Sequence, residues 1–159
     1  MLERRQHIST DGPYIISDKE NNYRVIAVDS NFKIKDYLTS ERKFEVNVYS
    51  FHPSVSGNFT VELKDAIKIP RSEYDLYSDI LVISDIEGNW HSFKKLLQNG
   101  KVMDENFNWI FGKGHLVLLG DFMDRGLNVT QILWLIYKLE DEAEKQGERC
   151  ISYLVIMKL

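Results

Sequence analysis

The sequence predicts an α/β chain: a β-α-β-α-β unit preceded by a small antiparallel β unit. Three observations predict it. Short runs with period-two alternation occupy residues 10 to about 70. Beyond residue 72, short apolar runs alternate with stretches of helical spacing. Turn-forming Asp, Asn and Gly residues punctuate both regions.

Taken in order, Tyr23–Val28 is a β-rich run, and Phe32–Lys35 and Phe44–Tyr49 alternate. Phe59, Val61 and Leu63 alternate with Thr60 and Glu62. Turns are expected at Asp11-Gly12-Pro13, Glu20-Asn21-Asn22 and Ser56-Gly57-Asn58. The segment Lys68–Ser72 is the expected junction, dividing residues 1–72 from 73–159. Ile80–Ile83 and Leu116–Leu119 read as buried parallel strands covered on both faces. Trp90, Phe93, Leu96 and Leu97 fall at helical spacing, stopped by Asn99-Gly100. Asp104–Trp109 reads as a hairpin or loop excursion. Val129, Ile132, Leu133, Ile136, Leu139 and Ala143 mark a long amphipathic helix. Asn128 with Gln131 has the spacing of a capping box, and Gly147 a stop. Lys138 with Glu142, and Asp141 with Lys145, are expected as pairs on its wet side. Ile151–Met157 is a third apolar stretch.

Composition excludes several classes. At 159 residues, 43% apolar and 28% charged, with three Pro and nine Gly, the chain is neither collagen-like nor a disordered acidic tail. A net charge of −4 gives no general attraction to nucleic acid or an anionic membrane, so neither is expected as a partner. The single Cys150 forms no internal disulfide, which fits a reducing, cytoplasmic setting. The polar start Met1–His7 leads into no apolar signal core, and no apolar run nears the ~20 residues that span a bilayer.

The chemistry is concentrated at two strand ends. Ser84-Asp85-Ile86-Glu87-Gly88-Asn89 follows the first buried strand, and Gly120-Asp121-Phe122-Met123-Asp124-Arg125-Gly126 follows the second. In open α/β sheets ligands bind beyond the carboxyl ends of the strands, so both clusters project to one edge. Gathered carboxylates repel unless they are protonated or share a cation, and oxygen-rich sets suit hard divalent ions. Arg125 offers a fork-shaped cation suited to a phosphate oxyanion. Taken singly, each cluster has a plain alternative: Asp after a strand is commonly a turn former, and an Asp-Arg pair is commonly a solvated ion pair.

Gly120–Gly126 matches the GDxxDRG motif of calcineurin-like metallophosphoesterases, and Ser84–Asn89 is similar to that family's upstream DxHG motif. The chain resembles most the phosphoprotein phosphatase branch and its bacterial relatives, over roughly residues 76 to 154. The resemblance implies that the fold is the N-terminal part of a metallophosphoesterase sheet sandwich. It implies two divalent metal ions (Mn, Fe, Zn or Mg), with Asp85 and Glu87 as ligands and Asp121 bridging. Asp124 would orient a catalytic histidine, and Arg125 would contact the substrate phosphate. Two metals would polarise the phosphoryl group and activate water for in-line attack. The implied substrates are a phosphoprotein, a dinucleoside polyphosphate or a small phosphoester.

Two departures stand out. Glu87 occupies a position where the family usually has histidine. The family also continues with Gly-Asn-His-Glu after the third strand, whereas this chain ends Val155-Ile156-Met157-Lys158-Leu159. Those five residues can be encoded GTA ATC ATG AAA TTG; one preceding G makes the same bases read Gly-Asn-His-Glu-Ile. The expectation is an N-terminal part of a longer enzyme ended by a frameshift, with little catalysis of its own. The alternative is a non-catalytic interaction protein whose β unit binds a partner. His91 is expected on a helix surface, His52 and His115 beside strands, and Cys150, Trp90, Trp109 and Trp134 in the core.

Overall fold

The computed structural model describes residues 10–18, 20, 22–29, 31, 33–48, 56–66, 79–146 and 149–152. Strands β1 (Asp11–Ser17), β2 (Tyr23–Val28) and β3 (Ile34–Thr39) form an antiparallel sheet in the order β1-β2-β3. Strands β4 (Lys43–Val48) and β5 (Gly57–Glu62) form a separate antiparallel pair. Then β6 (Ile80–Ile83), α1 (Trp90–Asn99), β7 (His115–Leu118), α2 (Val129–Lys145) and β8 (Arg149–Ser152) build a parallel sheet of order β6-β7-β8.

The antiparallel β unit is therefore two sheets. The period-two reading holds best in β4 and β5, where Phe44, Val46, Val48, Phe59 and Val61 are buried and their neighbours face water. Asp11-Gly12-Pro13 is not a turn but the start of β1, absorbed as a register irregularity before Tyr14. Gly57 and Asn58, also expected in a turn, open β5. The expected junction Lys68–Ser72 lies outside the described residues, as do His52, Gly147 and Tyr153–Leu159. Across residues 23–143 the buried side chains form one continuous apolar cluster. Phe59 stacks on Trp90 at 6.0 Å between ring centroids, and Phe107 tilts against both.

Three loops are built the same way. Asp18, Asp29 and Asp104 each accept backbone N–H groups two and four residues on, through one carboxylate oxygen. Each also donates its own N–H to the carbonyl four residues on. This is how a short polar side chain replaces strand or helix bonds in a tight turn. The third loop is the Asp104–Trp109 excursion, closed by a bridge from Met103 to Trp109.

Helix α1 buries Trp90, Phe93 and Leu97, whereas Leu96 is exposed. Asn89 caps it, accepting the Ser92 N–H at 3.1 Å. Helix α2 buries Ile132, Leu135, Ile136, Leu139 and Ala143, with Leu133 exposed. The expected capping box at its start does not form. Asn128 makes no side-chain cap, and Gln131, fully buried, instead donates to the Thr10 carbonyl at 2.9 Å. Trp134 Nε1 donates to the Pro13 carbonyl at 2.8 Å. These two bonds dock β1 onto α2. They turn a helix face read as polar into a second packing surface.

The two charge pairs of α2 do form, but they differ in setting. Asp141–Lys145 is largely exposed on the lysine side, as expected. Lys138–Glu142 is mostly shielded: Lys138 also donates to Asn108 Oδ1, and Glu142 accepts the Trp109 N–H at 2.8 Å. It clamps the 104–109 loop rather than decorating the wet face.

The parallel strands β6 and β7 are unevenly buried rather than covered equally on both faces. Ile83, Leu116 and Leu118 are buried, while Ile80 and Val82 are exposed. The strand order runs steadily from β6 to β8, so two right-handed crossovers put α1 and α2 on the same side. Among the described residues no helix is long and apolar enough to cross a membrane.

Two predictions follow from these ties. Gln131→Ala strands the Thr10 carbonyl in a buried setting, which costs roughly 1–3 kcal/mol, read as a lowered urea midpoint. Acid should act through the Asp loops. Backbone N–H groups of Asn22, Lys33 and Asn108 hold Asp18, Asp29 and Asp104 below the usual carboxylate range. Their stabilisation is complete above the unfolded value of about 3.9 and is lost as pH falls through the lower folded values. The urea midpoint should therefore drop below about pH 4, and less steeply in Asp104→Asn.

Candidate active site

The loops after β6 and β7 are joined backbone to backbone. Glu87 N–H donates to the Asp121 carbonyl at 2.9 Å, and Gly88 N–H to Phe122 at 2.9 Å. In return Gly126 N–H donates to the Glu87 carbonyl at 2.8 Å. Gly88 and Gly126 meet so closely that a Cβ on Gly126 would stand 2.2 Å from the Gly88 carbonyl carbon. Only hydrogen fits at either α-carbon. Gly88 also sits at φ +69°.

All five residues expected in the site are left-handed: Asp85 (φ 51°), Glu87 (46°), Asp121 (50°), Asp124 (90°) and Arg125 (41°). For a residue with a side chain this conformation costs of order 1–3 kcal/mol. The interloop hydrogen bonds and glycine contact hold it in place.

A cavity of about 650 Å³ opens at this edge. Asp85, Glu87, His91, Arg125 and Asn128 line it, with the first turn of α1 on one side. Asp85 is exposed, and Glu87 is partly shielded. Glu87 Oε1 lies 3.2 Å from Arg125 Nη2. Asp124 does not reach into the cavity; its Oδ1 accepts the Arg125 backbone N–H at 2.8 Å, and its side chain is 74% exposed. Asp121 is half-buried beside the cavity and outside its lining. The first turn of α1 presents the positive end of a helix dipole, a setting that favours anions, while its Trp90 N–H goes to the Gly88 carbonyl and its Ser92 N–H to the Asn89 side chain.

Sequence reasoning missed two lining residues. His91, expected on the helix surface, is half-buried in the cavity wall. Its position one residue into a helix that starts at the site was the available signal. Asn128, read as a cap, also lines the cavity, and its Nδ2 is shielded with no hydrogen-bond partner among the described residues. Cys150 lies in β8, where only the backbone is described. Trp90 and Trp109 are buried and Trp134 is partly buried, as core residues.

Among the described residues, no three His, Cys, Asp or Glu side chains come together as a group able to hold an ion. One Glu87 oxygen is also engaged by Arg125.

No family model matches the chain. It is 34% identical over 121 residues to Shewanella-like protein phosphatase 1 of Plasmodium berghei (strain Anka), a match covering 72% of this chain and 33% of that protein. It is 26% identical over 100 residues to Shewanella-like protein phosphatase 2 of Arabidopsis thaliana, covering 62% of this chain and 26% of that one. The cold-active protein-tyrosine phosphatase of a psychrophilic Shewanella sp. superposes with a TM-score of 0.76 at 26% identity, over 91% of this chain and 42% of the enzyme. A second crystal structure of a cold-active protein tyrosine phosphatase gives 0.75 at 27% identity. The chain is thus similar in sequence and fold to protein phosphatases, and it spans a third or less of the curated relatives' length. Coverage of 91% means that the structural likeness takes in the N-terminal β unit as well as the β-α-β-α-β region. This is a coarser statement than the metallophosphoesterase class that the GDxxDRG motif resembles.

The glycine contact generates a prediction. Gly126→Ala drives a methyl group into the Gly88 backbone and should destabilise the fold by more than about 2 kcal/mol. Gly112→Ala, at φ +57° with open space around it, meets no such contact and should lose less in thermal denaturation than Gly126→Ala.

Proposed function

We propose that this chain carries one part of a phosphatase active site that hydrolyses phosphate esters, with phosphoproteins as the favoured substrate class. The observation that carries this reading is the cavity in which Arg125 and the N-terminal turn of α1 face one space beside Asp85 and Glu87. A cation and the positive end of a helix dipole suit a phosphate oxyanion. The similarity to proteins named protein phosphatases supports the same reaction class.

In this reading Arg125 binds and orients the phosphoryl oxygens, and the positive end of the α1 dipole adds to the attraction. Asp85 and Asp121 supply carboxylates toward divalent ions, with the other donors contributed from outside the described residues. Asp124, held against the backbone of Arg125, fixes the loop that presents the guanidinium. Metal dependence belongs to the proposal as the motif's resemblance implies it, with Mn, Fe, Zn and Mg as the ions to compare. A second reading, a binding module without catalysis, draws on the incomplete donor set.

Hydrolysis of para-nitrophenyl phosphate separates the two. A chain restored to read Gly-Asn-His-Glu after Leu154 and extended through its downstream sequence should turn over with added Mn²⁺ and lose activity with EDTA. In that chain Arg125→Ala should lower kcat by about a hundredfold or more, the scale seen when a charge-stabilising donor is removed. Asp121→Asn should abolish turnover. Turnover that survives chelation would sink the metal-dependent reading; inactivity with every ion would favour the binding module.

A further inference from the structure

We infer that Glu87 is a positioning residue for Arg125: its carboxylate aims the guanidinium across the mouth of the cavity. The inference rests on the phosphate-site reading above and deepens it.

The geometry separates what is fixed from what is free. The backbones at 87 and 126 are bonded to each other, and Gly88 is packed against Gly126. The base of the Arg125 side chain therefore has a set distance from Glu87. What remains free is the long Arg125 side chain, 76% exposed, which would otherwise sample many rotamers. Glu87 is the better anchored partner, with its side chain only 23% exposed. The contact is single, Oε1 to Nη2 at 3.2 Å. Asp124 Oδ2 stands 3.8 Å from Nε, beyond hydrogen-bond reach. A guanidinium has five N–H donors, and the Glu87 oxygen faces one end of it at 3.2 Å. The fork is thus directed yet keeps donors for two phosphoryl oxygens. A histidine here has a shorter reach toward the Arg125 guanidinium. The departure from the motif at position 87 then has a consequence of its own.

The test compares two variants that remove the same charge. Glu87→Gln keeps an acceptor oxygen at the same reach; Glu87→Ala keeps none. Any general field effect on a bound anion is equal in both, so their difference isolates the brace. The 159-residue chain is titrated with inorganic phosphate in Mg²⁺ buffer, after circular dichroism shows that each variant is folded. Phosphate should bind about threefold tighter to Glu87→Gln than to Glu87→Ala, the scale of a partly exposed polar pair. In an Arg125→Lys background that difference should vanish. The ¹⁵N–¹H signal of Arg125 Nε gives a readout independent of phosphate. It should stand apart from those of freely exposed arginines in the parent and in Glu87→Gln, and merge with them in Glu87→Ala. Equal phosphate affinity in the two variants, or an Arg125 signal indifferent to residue 87, overturns the inference. An Arg125 signal that responds as expected, in a chain that binds no phosphate, upholds the brace and overturns the phosphate site instead.

Discussion

The contact on which this structure turns is the meeting of two glycines. Gly88 and Gly126 lie backbone against backbone, and three interloop hydrogen bonds run beside them. Helix α1 begins two residues after the first glycine, and α2 begins three residues after the second. One contact therefore fixes the strand ends, both helix starts and the side chains between them. It also makes the strain affordable. Left-handed residues with side chains are costly one at a time, and five here would be of order 5–15 kcal/mol in isolation. They persist because the backbone on either side is held by groups that have no other place to bond.

Helix α2 carries the second organising constraint. It packs against β8 on one side and against β1, β4 and β5 on the other. Apolar residues suffice for the first side. The second uses a buried amide and an indole N–H to satisfy the Thr10 and Pro13 carbonyls, which the edge of β1 leaves open. The stacked Phe59, Trp90 and Phe107 join the same regions from the opposite end. The N-terminal sheets and the parallel sheet thus share a core.

Much of this was legible in the residues. The exact run Tyr23–Val28 became β2, Trp90, Phe93 and Leu97 became the buried face of α1, and the parallel β-α-β-α-β order followed from apolar spacing. The sequence also pointed to the two loops, because acidic residues and glycines follow both strands. Other features depended on tertiary partners. Gln131 looks polar to any periodicity argument until the Thr10 carbonyl arrives across 121 residues. Leu96 and Leu133 look apolar enough to be core, yet the helix angle leaves them outside. Asp11-Gly12-Pro13 has turn chemistry that the sheet absorbed as a bulge. Which carboxylates face the cavity was equally illegible, because left-handed backbone redirects each side chain and no spacing rule anticipates it.

The charges in the two loops complete the physical picture. The two loops carry four carboxylates, Asp85, Glu87, Asp121 and Asp124, and one guanidinium, Arg125, so their side-chain charge is net negative and repels. Side-chain electrostatics therefore cannot be what assembles the edge; the backbone does that work, and the side chains tolerate it. The arrangement has a functional logic. Asp85 lines the cavity, whereas Asp121 lies outside its lining and Asp124 turns to the Arg125 backbone. Glu87, which departs from the motif's usual histidine, and Asp124 both lie within ion-pair distance of Arg125. These contacts offset part of the repulsion at the only guanidinium in the two loops.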